Sequence, residues 1–322
     1  MGMGKGAGMT GRRSNILTSS SARNDYLRGC VLLDQEDSGV TAQDVFNFLR
    51  SNIPSLPMRG IQQDLSTYDL FVLWHVATMS IQLSVGNAAH GGPIFLPWHR
   101  MYLIRLEQQL QRVLADPNFA LPYWDWAADG EIQPPNQQWQ TILWSSTHLG
   151  DARNEVNSGQ LGAMRVRLWQ SGGVLWSIDP RPIERDAGRD VPDLPNEDDV
   201  IQAHQESQYD QPSWGMGSVS HRNRLEGWLN GPQLHNRVHV WVGGDMSPGT
   251  SPNDPVFFLN HCNVDRIWEA WMANHGRVYR PSPTEGPAGH RLNDQMVAIL
   301  GESMRPEDVL DPTEWYDYDS LK

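Results

Sequence analysis

At 322 residues, 39% of them hydrophobic, the chain is long enough to bury a sizeable core, as one large domain or two small ones. A formal charge of -13 and a pI near 5.2 exclude a general affinity for nucleic acid or anionic membrane, which carry the same sign, and favour a small neutral or cationic partner. With only Cys30 and Cys262 there is no disulfide framework and no Cys-rich zinc pattern, and no run of about 18 apolar residues marks a membrane span.

The first 24 residues are rich in Gly, Ser and Arg. Arg12-Arg13 invites a twin-arginine reading, but Ser-Asn-Ile-Leu-Thr follows where an apolar run is needed, so residues 1–24 are expected to form a disordered lead-in. The chain as encoded is accordingly expected in the cytoplasm, with a single domain over residues 25–322. Residues 68–84 are apolar at helical density, which predicts a buried helix carrying His75. The stretch from Asn87 to Gly92 breaks it. A second helix is predicted over residues 98–114, with Leu103, Leu106, Leu110 and Val113 on its apolar face and Asp116-Pro117 after its end.

Residues 127–221 are rich in Gly, Pro, Asn and acidic groups and are expected to form long loops with one short helix near residues 161–169. Loops of that length are usually functional or mobile. Regular structure is predicted again at residues 224–229, 234–242 and 255–275. Beyond Ala288 the chain is acidic, with a short helix expected near residues 292–300 and a frayed end at Glu314-Trp-Tyr-Asp-Tyr318, the alternative being a cover over a site entrance. Two helical segments share one phrase, Pro93-x-Phe95-x-x-x-His99 and Pro255-x-Phe257-x-x-x-His261. On a helix the Phe and the His stand one turn apart on one face, which suggests two similar half-sites facing each other.

Any single one of the 11 histidines is more often hydrogen-bonded or solvated than a ligand, so grouping decides. His235 and His239, at i and i+4, point both imidazoles to one side of a helix, and His261 adds a third from an apolar segment. His75, His90 and His99 form another three. Burying so many imidazoles without partners is costly, and metal coordination offsets that cost. Imidazole sets suit copper, zinc, iron or nickel, and no evident bridging carboxylate disfavours a carboxylate-bridged di-iron site. Three neutral imidazoles per metal leave positions open for dioxygen, which copper fits best and zinc second. His148, His204, His221, His275 and His290 are read as non-ligands.

Ala89-His-Gly-Gly-Pro-Ile-Phe-Leu-Pro-Trp-His-Arg100, Leu121-Pro-Tyr-Trp-Asp-Trp126, Leu234-His-Asn-Arg-Val-His-Val-Trp-Val-Gly-Gly244 and Asn253-Asp-Pro-Val-Phe-Phe-Leu-Asn-His-Cys-Asn-Val-Asp-Arg-Ile-Trp268 resemble the copper-A and copper-B signatures of bacterial tyrosinases, type-3 copper polyphenol oxidases. The resemblance spans about residues 68–275. It implies a mainly α fold with a central four-helix bundle and long loops, His75, His90 and His99 on copper A, and His235, His239 and His261 on copper B. It also implies a mechanism in which the two coppers use dioxygen to oxidise o-diphenols to o-quinones or to hydroxylate phenols. In tyrosinases a Glu before the first copper-B histidine and an Asn just after it hold a water that deprotonates monophenols, and Glu226 and Asn236 stand at the matching places.

The sequence departs from the family at two positions. Asn260 stands where many members carry a second His before the third copper-B ligand, which bears on substrate orientation, not on copper binding. Ala88 stands where fungal and plant relatives place a Cys thioether-linked to the histidine, so that link is absent. Asp265 and Arg266 are expected either to orient ligands or to form an ion pair, Phe257 to pack on the imidazoles or simply in the core, and Cys262 to be a small buried residue.

A small phenolic or aminophenolic substrate follows from the resemblance, with o-aminophenol oxidation to quinone imines as the alternative activity. A dioxygen carrier resembling haemocyanin ranks lower, since the 36.4 kDa chain shows no evident shielding domain. A zinc-binding relative without oxygen chemistry ranks lowest. Some bacterial relatives without signal peptides rely on a helper protein for copper delivery and export, which is compatible with this chain.

Overall fold

The first ordered element is one that composition argues against. The computed structural model describes residues 11–322, and residues 1–10 of the expected lead-in lie outside the described residues. Residues 11–24 correct that expectation: β1 (Gly11–Arg13) pairs in parallel with a strand at the far end of the chain, and α1 (Ser20–Gln35) starts on the Ser19 hydroxyl, which accepts from the Ala22 N–H. The cause is long-range. The buried Arg13 guanidinium donates to Glu107 at 3.0 Å and to Asp265 at 3.3 Å, and lies 3.3 Å from the centroid of the Tyr316 ring. A Gly/Ser/Arg segment has no apolar period to announce order that ion pairs and an aromatic face impose from elsewhere.

After α1 come β2 (Asp37–Thr41), α2 (Ala42–Asn52), β3 (Met58–Gly60) and β4 (Asp64–Ser66), with β2 and β4 antiparallel. Ser66 then caps α3 (Thr67–Met79). Its hydroxyl accepts from the Asp69 N–H at 3.1 Å while the Asp69 carboxylate accepts from the Ser66 N–H at 2.8 Å, satisfying two donors that a helix start would otherwise leave open. The helix is apolar all round because most of its length is buried. α4 (Phe95–Leu114) begins three residues before the expected start; Pro97 lies in its first turn, where a missing N–H costs no helical bond.

Residues 127–221 are less loop-like than expected. α5 (Trp126–Gly130), β5 (Arg153–Glu155), β6 (Val166–Ser171), β7 (Val174–Arg181), β8 (Glu184–Asp186) and α6 (Glu197–His204) occupy them, and the helix expected near residues 161–169 is a 3-10 turn, Gln160–Ala163, followed by β6. β6 and β7 form an antiparallel hairpin that β3 joins in parallel. Gly172 and Gly173, both at positive φ, make its two-residue turn. α7 (His221–Glu226), α8 (Leu234–Val242) and α9 (Val256–His275) follow.

The expected helix near residues 292–300 is not formed, and β9 (Tyr316–Tyr318) replaces the frayed end. The Tyr316 and Tyr318 hydroxyls donate to Asp265 at 2.5 and 2.6 Å, so this tail is an anchor in the core, not a cover. At the centre stands the helical bundle: α4 packs against α1 and α9, α8 against α9, and α3 meets α4 through Trp74 on Trp98 and a Tyr102 hydroxyl donated to the Phe71 carbonyl at 2.7 Å. Among the described residues no helix is long and apolar enough to cross a membrane.

Candidate metal centre

α3 carries His75, α4 carries His99, and the loop between them carries His90; α8 supplies His235 and His239, and α9 supplies His261. The fold brings these six into two groups of three, and within each group one nitrogen per residue lies within 4.8 Å of the others. The triads face each other. The His99 and His261 rings stack at 4.1 Å between centroids, and His90 and His235 stand 6.1 Å apart.

Backbone carbonyls fix most of the rings. Nδ1–H of His75 donates to Gly249 at 2.7 Å, that of His99 to Phe95 at 2.8 Å, and that of His239 to Met246 at 2.7 Å. His235 Nδ1–H is shared between the Glu226 carbonyl at 3.2 Å and the Asn236 side-chain oxygen at 3.0 Å. These bonds place the proton on Nδ1 and leave an Nε2 lone pair directed inward. Nε2 of His75, His99 and His239, and Nδ1 of His90 and His261, are buried with no hydrogen-bond partner. His235 Nε2 and His261 Nε2 stand 3.0 Å apart, a distance at which two lone pairs need a cation or a shared proton between them.

Burial pushes all six below the ordinary histidine range, with neighbouring imidazoles adding to it for every one but His239; His75 is lowered to about 3 and His239 to about 4. Neutral imidazole is the form that ligates. Buried, unpartnered, uncharged nitrogens in two threes, with no carboxylate in either group, fit a pair of imidazole-loving metal ions.

The repeated Phe-His phrase works across the site. Phe95 touches its own His99 at 4.8 Å and His235 of the opposite triad at 4.9 Å, while Phe257 touches its own His261 at 4.2 Å and the opposite His75 at 4.9 Å. Glu226 and Asn236 both stand at His235. The Glu226 carboxylate is fully buried; one oxygen accepts from the Gly91 N–H at 2.6 Å, beside His90, and the other from Arg222 at 2.9 Å. Glu226 thus joins the two triads. Burial raises its proton affinity above that of an ordinary glutamate, against the opposing pull of Arg222, the Gly91 N–H and the Trp228 indole N–H. Asn260 is buried too, and neither atom of its amide has a partner.

Asp265 and Arg266 bond neither each other nor a triad imidazole. Asp265 accepts from Arg100 at 2.6 Å as well as from Arg13 and the two tyrosines, while Arg266 pairs with Asp125 at 2.9 Å. Burial raises the Cys262 thiol to about 12, so it stays protonated. Arg222, Trp228 and His290 are the neighbours that motif reading missed. Arg222 lay one turn before Glu226, a readable i, i+4 pair; His290 carries no local signal.

Two three-imidazole centres face to face inside a helical bundle define a binuclear metal protein of the all-histidine kind. The common central domain of tyrosinase matches residues 65–274. The tyrosinase of Streptomyces glaucescens is 38% identical over 260 residues, 79% of this chain and 89% of that protein, and the grixazone synthase of Streptomyces griseus is 35% identical over 325 residues, 87% of this chain and 96% of that one. Among solved structures, the Vitis vinifera polyphenol oxidase covers all of this chain and 88% of its own at a TM-score of 0.59 and 18% identity, and an octopus hemocyanin functional unit covers 97% and 69% at 0.56 and 18%. At those identities the likeness is one of fold.

The chain belongs to the tyrosinase family. It is a copper-dependent oxidoreductase whose cofactor is a dicopper centre and whose co-substrate is dioxygen, and the two histidine triads fit that centre.

Proposed function

We propose that this oxidase converts phenols and o-diphenols to o-quinones, with His75, His90 and His99 holding one copper, His235, His239 and His261 the other, and Glu226 with Asn236 managing the phenol proton. The observation that carries the reading is the buried Glu226, whose carboxylate accepts from the Gly91 N–H beside His90 while its backbone carbonyl accepts from His235 Nδ1–H. Bound copper supplies the two-electron chemistry with dioxygen. The protein supplies the base and the orientation. A phenol, with a pKa near 10, has to lose its proton before its oxygen becomes an anionic ligand. Burial moves Glu226 toward that value, while three donors still hold it as an acceptor. Asn236 spends its carbonyl oxygen on His235, which leaves its amide N–H groups to orient a water or a phenol oxygen. The proton passes from the phenol O–H through that water to a Glu226 oxygen.

A second reading rests on Asn260. On the residue before His261, its buried amide has no hydrogen-bond partner, and this amide in place of the imidazole that many family members carry is what keeps o-aminophenol oxidation as the alternative. Turnover of tyrosine, catechol and o-aminophenol by the copper-loaded chain, followed as oxygen uptake, separates these readings. Tyrosine and catechol are both expected to react; reaction of the aminophenol alone overturns the first reading, and reversible oxygen binding without turnover points to a carrier. Copper delivery by a helper protein is part of the proposal, because the triads are largely buried. Loading of the metal-free chain by free copper ion at full rate would remove that need.

A further inference from the structure

His90 is the one triad member on a loop, and its ring, like that of His261, makes no hydrogen bond at Nδ1 or to a carbonyl; with no helix beneath it, its aim rests on the backbone around it. Within the loop, the Asn87 side-chain oxygen accepts from the Ala89 and His90 N–H groups at 2.9 and 2.8 Å. Three side chains reach in around His90 from elsewhere. Glu226 takes the Gly91 N–H, the Tyr209 hydroxyl donates to the Pro93 carbonyl at 2.7 Å, and the third is His290, from the C-terminal stretch that carries no motif.

His290 is fully buried. Its Nδ1 accepts from the Ile94 N–H at 3.2 Å and its Nε2–H donates to the Val85 carbonyl at 2.8 Å, so one ring ties the two ends of the segment that holds His90. Its own carbonyl accepts from the Tyr279 hydroxyl at 2.7 Å, which fixes it from behind. A ring that accepts at one nitrogen and donates at the other is neutral, and burial keeps it so, lowering its pKa to about 4 with Arg222 and Asp294 as the charged groups facing it. The loop backbone lies directly against the ring. A Cβ on Gly92 would come within 2.5 Å of His290 Cε1, so only glycine permits this approach.

We propose that His290 is a positioning residue for the first metal: by joining Val85 to Ile94 it sets the loop that aims His90, and its loss weakens metal binding at the first triad but not at the second. The proposal rests on the reading of both triads as metal sites. Groups one step behind a ligand act on metal affinity through its orientation, by about 10-fold to 100-fold.

The test titrates the full-length metal-free chain with cobalt(II), reading stoichiometry and the visible ligand-field spectrum. Wild type is expected to take up two ions per chain. His290→Leu is expected to keep one site at wild-type affinity and to weaken the other by about 10-fold or more, with an altered spectrum for that site alone, and His290→Gln, which restores one donor and one acceptor, to recover part of the loss. Gly92→Ala, which displaces the ring without removing it, is expected to give the same one-site loss and serves if His290→Leu does not fold. Unchanged affinities, or equal weakening of both sites in every variant, overturn the proposal. Uptake of fewer than two ions by wild type instead sinks the metal-site reading beneath it.

Discussion

The two triads differ in how much of the molecule each needs. The second comes from neighbouring helices, α8 and α9, with His235 and His239 one turn apart on the same helix. The first draws on α3, α4 and a loop, and its loop member is held by Glu226 from the second half and by His290 from the C-terminal stretch. A helix-borne pair brings its own geometry. A loop-borne ligand borrows it.

The largest expected effect tests whether that difference matters to chemistry. His239→Ala and His90→Ala are both expected to abolish oxygen uptake with catechol, because the proposed oxidation needs both metals, however each is held. Turnover surviving in His90→Ala but not in His239→Ala would make the loop-borne triad dispensable. Next is Glu226→Gln, which keeps the shape that spans the halves but removes the base. Monophenol turnover is expected to fall by about 100-fold or more, as loss of a general base does, with a much smaller fall for catechol. Equal losses on both substrates would reduce Glu226 to a strut between the triads.

Much of the second triad was legible in the sequence, because an i, i+4 pair and an apolar helix are local patterns that write themselves as periodicity. The four site helices were placed from the same signal, and the Phe-His phrase correctly announced two facing half-sites. What escaped reading is held by distant partners. Arg13 and Tyr318 looked like loose termini because their order comes from Asp265 and Glu107; His290 looked like a stray histidine because its partners are Val85 and Ile94. The β6–β7 hairpin was readable: Gly172-Gly173 between strand-like runs is a turn signal that the surrounding polar composition masked.

A third test acts on both triads together. Asp265 lies one turn beyond His261 and binds Arg100, the residue after His99, so it clamps α9 to α4 behind the site. Burial raises its proton affinity, but Arg100, Arg13 and the two tyrosine hydroxyls outweigh that and leave its pKa lowered, so it is a carboxylate at neutral pH. Asp265→Asn leaves two buried guanidinium groups short of charge, and a cost of about 3–5 kcal/mol is expected from breaking a buried ion pair at one partner. Chemical denaturation of the metal-free chain measures it. Cobalt affinity is expected to weaken at both triads, the opposite of the one-site loss expected for His290; a one-site loss here would place the clamp behind a single helix.

The smallest effect separates acid instability of the core from loss of metal at either triad. His221 lies outside the metal centre, stacked on Trp271 at 4.7 Å with its Nδ1–H donated to the Ala203 carbonyl at 2.9 Å, and burial lowers its pKa to about 3. Above the unfolded value of about 6.5, both states hold it neutral and it adds no pH dependence. Below that value the unfolded chain takes a proton that the folded chain refuses, so stability falls with pH down to about 3, by up to about 1.4 kcal/mol per pH unit. In His221→Gln the slope of unfolding free energy between about pH 6 and pH 4 is therefore expected to shrink by about 1 kcal/mol per pH unit, in metal-free protein, where ligand release cannot contribute. An unchanged slope would mean that His221 accepts its proton in the folded state. The acid sensitivity would then come from other groups, His290 and the triad imidazoles among them, and comparison of His90→Ala with His239→Ala over the same pH range would show what each triad contributes.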